Sequence, residues 1–145
     1  MEDILFLCTG NYYRSRFAEE YFNHYAEKRG LPARAWSRGL ARDIDALRNP
    51  GPISAHTLGK LRELDIPPRR PDDYPVSAGP ADLHGADRPI VLCEREHRPM
   101  IRAHFPELEQ RMEYWEVEDV QVETPENALA QLLEELDALL REYSG

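Results

Sequence analysis

Four apolar residues in a row, Ile4-Leu5-Phe6-Leu7, follow the acidic pair Glu2-Asp3 and lead into a short polar loop. An unbroken apolar run of this length predicts a strand buried on both faces. From Phe17 to Lys28 the apolar positions recur at helical spacing, and Gly30 with Leu31-Pro32 predicts where that helix stops. Ala33 to Trp36 predicts a second short strand, with Ser37-Arg38-Gly39 turning away from it. Strand, helix and strand within about 35 residues form a βαβ unit, whose two strands run parallel.

Asn49-Pro50-Gly51-Pro52 breaks the pattern, and Ser54 is placed to cap a helix carrying Leu58, Leu61 and Leu64. The stretch from Ile66 to Pro89 is rich in proline and predicts loops, with one short helix around Ala81 to His84. Pro89 to Cys93 is the second clear buried strand, Glu94 to His104 a helix that tolerates Pro99, and Arg111 to Trp115 the last strand. An acidic loop, Glu116 to Thr124, precedes Thr124-Pro125-Glu126, a cap followed by proline at the first helical position. The final helix carries Leu129, Leu132, Leu133, Leu136, Leu139 and Leu140 on one face, a stripe too short for a coiled-coil seam and suited to a core.

This alternation, with no internal repeat, predicts one domain over residues 1–145: a three-layer α/β sandwich with a central parallel sheet of about four strands. Ligands bind such sheets at the carboxyl ends of the strands. That edge would carry Cys8, the Ser37 turn, Cys93 and the Glu116–Asp119 loop.

Composition narrows the function. With 41% hydrophobic and 31% charged residues the chain should be globular. No apolar run approaches the ~20 residues of a membrane span. Glu2 and Asp3 stand where a signal peptide needs basic residues, so the expected address is the cytoplasm. Two cysteines make no disulfide framework and should stay reduced. A net charge of −9 argues against nucleic-acid binding. Arg14, Arg16, Arg34, Arg38, Arg42 and Arg48 could form a basic patch around an anion pocket, or a solvated face. The five histidines are scattered, and Cys93-x3-His97 lacks further ligands, so neither metal nor cofactor is expected.

The loop after the first strand holds the chemistry: Cys8-Thr9-Gly10-Asn11-Tyr12-Tyr13-Arg14-Ser15. A strand–loop–helix aims backbone N–H groups and a helix N-terminus at one small volume, which favours an anion. At the strand's exit that potential favours the thiolate of Cys8 and makes it a nucleophile. Arg14 can place its planar fork on two oxygens of a phosphoryl group. A lone cysteine at a strand end is more often packing, but the Cys-x5-Arg-Ser spacing in this context points to function.

The same residues resemble the loop of the low-molecular-weight protein tyrosine phosphatases and their arsenate-reductase relatives, Cys-x-Gly-Asn-x-x-Arg-Ser, at every defining position. Phe17-Ala18-Glu19, Ser37-Arg38-Gly39 and the segment from Asp87 to Cys93 resemble that family further along the chain. The resemblance implies a phosphatase for phosphotyrosine-type aryl monoesters, working through a cysteinyl-phosphate on Cys8. It implies that Arg14 and the N–H groups of Thr9, Gly10, Asn11, Tyr12, Tyr13 and Arg14 hold the phosphoryl oxygens. Asn11 would keep the loop's shape, and Ser15 would hydrogen-bond the thiolate. Asp119 matches the family's general acid, although Val120 replaces the proline that usually follows; Glu118 and Glu116 are the alternatives.

Other departures bear on specificity. Val120-Gln121-Val122 replace the usual aromatic pair, and Tyr12 and Tyr13 could supply that wall or else narrow the pocket or fill the core. Tyr13 also stands where many members carry a second cysteine, so no disulfide could protect Cys8 there. Arg16 replaces a common proline and should add charge near the pocket rim. Two other activities fit the loop: a phosphate- or phosphoprotein-binding module with its acid lost, and an arsenate reductase borrowing an external thiol in place of a missing third cysteine. Expected partners are a phosphorylated protein or small aryl phosphate as substrate, and inorganic phosphate as product and inhibitor. Neither nucleic acid nor membrane is expected.

Overall fold

The computed structural model of the chain describes residues 1–117 and 125–144, with 125–128 described as backbone only. Its elements alternate as the sequence predicts. They are β1 (Glu2–Cys8), α1 (Arg14–Lys28), β2 (Ala33–Gly39), α2 (Ala55–Glu63), α3 (Pro80–Gly85), β3 (Arg88–Val91), α4 (Glu94–His104), β4 (Glu113–Tyr114) and α5 (Pro125–Tyr143). Two 3-10 turns, Ile44–Leu47 and Pro106–Arg111, carry no periodic apolar pattern and are not foreseen by it.

The four strands form one sheet in the order β2-β1-β3-β4, and every pairing is parallel. Central β1 explains the apolar run, since Ile4, Leu5, Phe6 and Leu7 are all fully buried. Ile4 and Phe6 join the core with Phe17 and Phe22 of α1 and the α5 leucines, whereas Leu5 and Leu7 face Leu83, Ile101 and Phe105 on the other side. The leucine stripe is core, with Leu132, Leu136, Leu139 and Leu140 at or below 1% exposure. Ser54 caps α2 by accepting from the His56 N–H. Thr124 lies outside the described residues.

Three local expectations need correction. Ser37-Arg38-Gly39 does not turn away: β2 continues through Gly39, which pairs with Cys8. A Cβ at Gly39 would stand 2.7 Å from Ile44 Cδ1 and 2.8 Å from the Thr9 carbonyl oxygen, so the strand can run beside the loop only without a side chain there. The last strand is only Glu113–Tyr114, because the preceding 3-10 turn extends through Arg111. There the Arg111 guanidinium caps carbonyls at the end of α3, Leu83 and Ala86 among them.

Arg16 does not reach the pocket rim. It is 1% exposed and donates to the Asp73 carbonyl at 2.9 Å and the Arg70 carbonyl, with Glu19 at 3.7 Å and Glu20 at 3.5 Å. Glu20 in turn accepts from the Arg69 and Arg70 N–H groups. The proline-rich segment has little regular structure to satisfy its backbone, and α1 supplies the missing partners. Arg34 bonds to the Leu31 and Ala33 carbonyls at the far end of β2 from Gly39, so these arginines do not form one patch around the loop. Among the described residues, no helix is long and apolar enough to cross a membrane.

Replacing Arg16 by alanine removes the cation beside buried Glu20 and leaves Glu19 to Arg70. Urea unfolding should show a loss of about 3–5 kcal/mol, the range for breaking a buried ion pair from one side. Gly39→Ala should lower stability by about 1–3 kcal/mol through overpacking against loop backbone. It should reduce activity as well, because the atom it meets is the Thr9 carbonyl; melting and turnover together check this.

Candidate active site

β1 ends at Cys8 and α1 starts at Arg14, leaving five residues to bridge them. Cys8 is 3% exposed, and its Sγ lies 3.0 Å from Ser15 Oγ. Ser15 also accepts from Asn11 Nδ2 at 3.0 Å. With that lone pair engaged, the single hydroxyl hydrogen of Ser15 is available to a thiolate at Sγ. Asn11 adopts φ of 51°, a left-handed conformation that asparagine tolerates better than most residues. Its Nδ2 also donates to Ser37 Oγ at 2.9 Å, and its Oδ1 accepts from the Val76 N–H at 3.0 Å. Ser37 donates onward to Glu19 at 2.5 Å, and Arg70 clasps Glu19 through Nε and Nη2, each at 2.6 Å.

The loop also has the polarity an anion needs. Among the described residues, no group accepts a hydrogen bond from the N–H of Thr9, Gly10, Asn11 or Tyr12. Loop N–H groups ahead of a helix start are a recurrent anion cradle. Arg14, the first residue of α1, is 3% exposed. Its Nη1 donates to Glu96 Oε2 at 3.0 Å and to the Val117 carbonyl at 3.1 Å, and its Nη2 to Glu96 Oε1 at 3.2 Å. Thr9 Oγ1 donates to the same Oε1 at 2.7 Å and lies 3.0 Å from Nε2 of His97. His97 is fully buried, and its Nδ1 accepts from the Cys93 N–H, which puts the ring proton on Nε2. Burial alone would push the Glu96 carboxyl up. Hydrogen bonds from His97 and Arg14 and the Arg14 charge outweigh that and hold it well below the usual carboxylate range.

Above the loop lies a cleft of about 430 Å³ walled by Tyr12, Tyr13, Leu47, Asn49, His56 and Glu96. Tyr12 is fixed in that wall by its hydroxyl, which donates to the Pro50 carbonyl at 2.7 Å. Tyr13 does both things the sequence left open: it borders the cleft and packs edge-on against exposed His56, yet it is 9% exposed and belongs to the main core cluster. Cys93 is fully buried two residues past β3, at the N-cap position of α4.

Of the residues the sequence singles out, Thr9, Gly10, Tyr12, Tyr13 and Arg14 line the cleft, while Ser15 and Asn11 form the bonded set beside Cys8. Asp119 and Glu118 lie outside the described residues. Glu116 is exposed and bridges to Cys93 on the same sheet edge. No motif in the sequence singles out Glu96, and His97 figures there only in a Cys93-x3-His97 spacing too sparse for a metal. The available signal was position: both open the helix that follows a parallel strand, where residues face the ligand edge.

No curated protein sequence matches the chain. Solved structures do. A low molecular weight protein tyrosine phosphatase from T. tengcongensis is 26% identical, with 97% of this chain and 96% of that one covered and a TM-score of 0.74. Vibrio vulnificus Wzb, solved in complex with benzylphosphonate, is 18% identical over 97% and 98% of the two chains, with a TM-score of 0.78. YfkJ from Bacillus subtilis is 21% identical over 98% and 94%, with a TM-score of 0.81. The sequence model for low molecular weight phosphotyrosine protein phosphatases matches residues 3–143, and with a cysteine, an arginine and an open cradle at the end of the first strand, the chain belongs to that phosphatase family.

Proposed function

We propose that this phosphatase hydrolyses aryl phosphate monoesters, either phosphotyrosine in a protein or a small aryl phosphate, with Cys8 as nucleophile, Arg14 as the phosphate clamp and Asp119 as acid and base. The observation that carries the reading is the bond set Cys8–Ser15–Asn11, which serves a thiolate directly and gives a merely packed cysteine no advantage. In the first step Cys8 Sγ attacks phosphorus, the bond to the leaving oxygen breaks, and Asp119 protonates that oxygen. In the second step Asp119 takes a proton from water as the water attacks phosphorus, and the phosphorus–sulfur bond breaks. Ser15 donates to the departing thiolate. Inorganic phosphate, the product, occupies the same cradle and inhibits.

Phosphoryl transfer depends mainly on positioning and on preorganised positive charge. The loop N–H groups and Arg14 supply that charge without reorganising. Asp119 is favoured over Glu118 because it matches the family's acid position. The carbonyl of Val117, two residues before it, is bonded to Arg14, which supports an acid close to the phosphoryl group. Tyr12, held by Pro50, offers a flat face for an aryl leaving group. A cytoplasmic setting suits the reaction, since the thiol must stay reduced.

The purified protein should hydrolyse para-nitrophenyl phosphate with an acidic optimum. Cys8→Ser should abolish turnover, and Asp119→Asn should lower kcat more than about tenfold, the general-acid contribution. Absence of turnover by the unaltered protein between about pH 5 and 7, with phosphate still bound, would identify a binding module and overturn the enzymatic reading.

A further inference from the structure

We propose that Glu96 is a positioning residue for the phosphate clamp: its carboxylate grips the two terminal nitrogens of Arg14 end-on and sets the plane in which the guanidinium meets the phosphoryl group. The inference rests on the phosphatase reading above and names a residue outside the loop on which that reading depends.

A guanidinium offers two kinds of paired donors, one across its end and one along its side. Glu96 takes the end, with Oε2 at 3.0 Å from Nη1 and Oε1 at 3.2 Å from Nη2. The Val117 carbonyl takes a second bond from Nη1 at 3.1 Å. Three acceptor atoms from two separate segments fix the plane of the group and its rotation about its own stem.

Glu96 is itself held in place. Thr9 Oγ1 donates to its Oε1 at 2.7 Å, and His97 Nε2 is 3.4 Å from the same oxygen. His97 is fixed by the Cys93 N–H just past β3. The chain of contacts thus runs from the sheet through a buried imidazole and a loop hydroxyl to the carboxylate, and from there to the arginine. Such support is what keeps a clamp within the narrow tolerance catalysis requires.

A carboxylate beside a phosphate site also repels the incoming dianion. Positioning and repulsion predict opposite results for Glu96→Gln, which removes the charge and keeps the shape. If positioning dominates, Glu96→Gln should lower kcat/KM for para-nitrophenyl phosphate about tenfold or more and weaken inorganic phosphate in a calorimetric titration; Glu96→Ala should do both more strongly. In an Arg14→Lys background the same Glu96→Gln change should cost less than about threefold in kcat/KM, because a residue acting through the guanidinium has nothing left to position. Unchanged or tighter phosphate binding by Glu96→Gln overturns the proposal, and so does an equal loss in the two backgrounds. Phosphate titration needs no turnover. A protein that binds phosphate without hydrolysing para-nitrophenyl phosphate therefore defeats the phosphatase reading, while its Glu96→Gln titration still decides this one.

Discussion

Asn11 sits at φ of 51°, and three hydrogen bonds from its own side chain keep it there. The conformation turns the loop sharply after β1, and it costs on the order of 1–2 kcal/mol for an L-residue, less for asparagine. Each bond returns roughly 0.5–1.5 kcal/mol, so the three together outweigh the strain. The partners matter as much as the sum. Ser15 belongs to α1, Ser37 to β2 and Val76 to the proline-rich segment, so one amide couples the nucleophile loop to three parts of the fold. Through Ser37 the coupling passes to Glu19 and Arg70, and Arg16 ties the same segment from below. The shape of the cradle is thus a property of the assembled domain.

Charge follows the same logic. On a chain of net charge −9, two arginines of the first turn of α1, Arg14 and Arg16, are buried to 3% or less, each with carboxylates beside it. Buried ion pairs add little net stability, since desolvation offsets most of the attraction. What they provide is fixed geometry, and removing one partner is costly. Glu19 and Glu20 hold the proline-rich segment against α1, whereas Glu96 holds Arg14. Among the described residues, Glu96, the carboxylate lining the cleft, is therefore already engaged by a cation, and loop N–H groups and a guanidinium offer positive potential at the cradle.

The sheet and its helices were legible because they rest on local patterns: the run Ile4–Leu7, the strand at Pro89–Cys93 and the α5 leucine stripe each bury a face that the sequence displays. The nucleophile loop was legible because its spacing is compact, eight residues from Cys8 to Ser15. What stayed hidden depends on pairing across the fold. β2 extends through Gly39 because a strand partner and a crowded loop demand it, which no propensity of Ser37-Arg38-Gly39 reveals. Arg16 reads as a surface cation until a segment more than fifty residues away offers it carbonyls. Glu96 and His97 look like helix-surface residues because their partners, Thr9, Arg14 and the Cys93 N–H, meet them only when β1 and β3 lie side by side.

Arg14 also ties two distant segments of the fold together. Val117 donates its N–H to the Leu92 carbonyl at 2.7 Å and gives its own carbonyl to Arg14 at 3.1 Å. Val117 is therefore pinned to both the sheet and Arg14. The same guanidinium is gripped by Glu96 from the first turns of α4. A phosphoryl group that engages Arg14 thus contacts a group already shared between α4 and the exit from β4. An arginine held by two separate segments of the fold cannot follow a misplaced phosphate, so the loop must receive the substrate where the guanidinium already stands, which is the condition for preorganised catalysis.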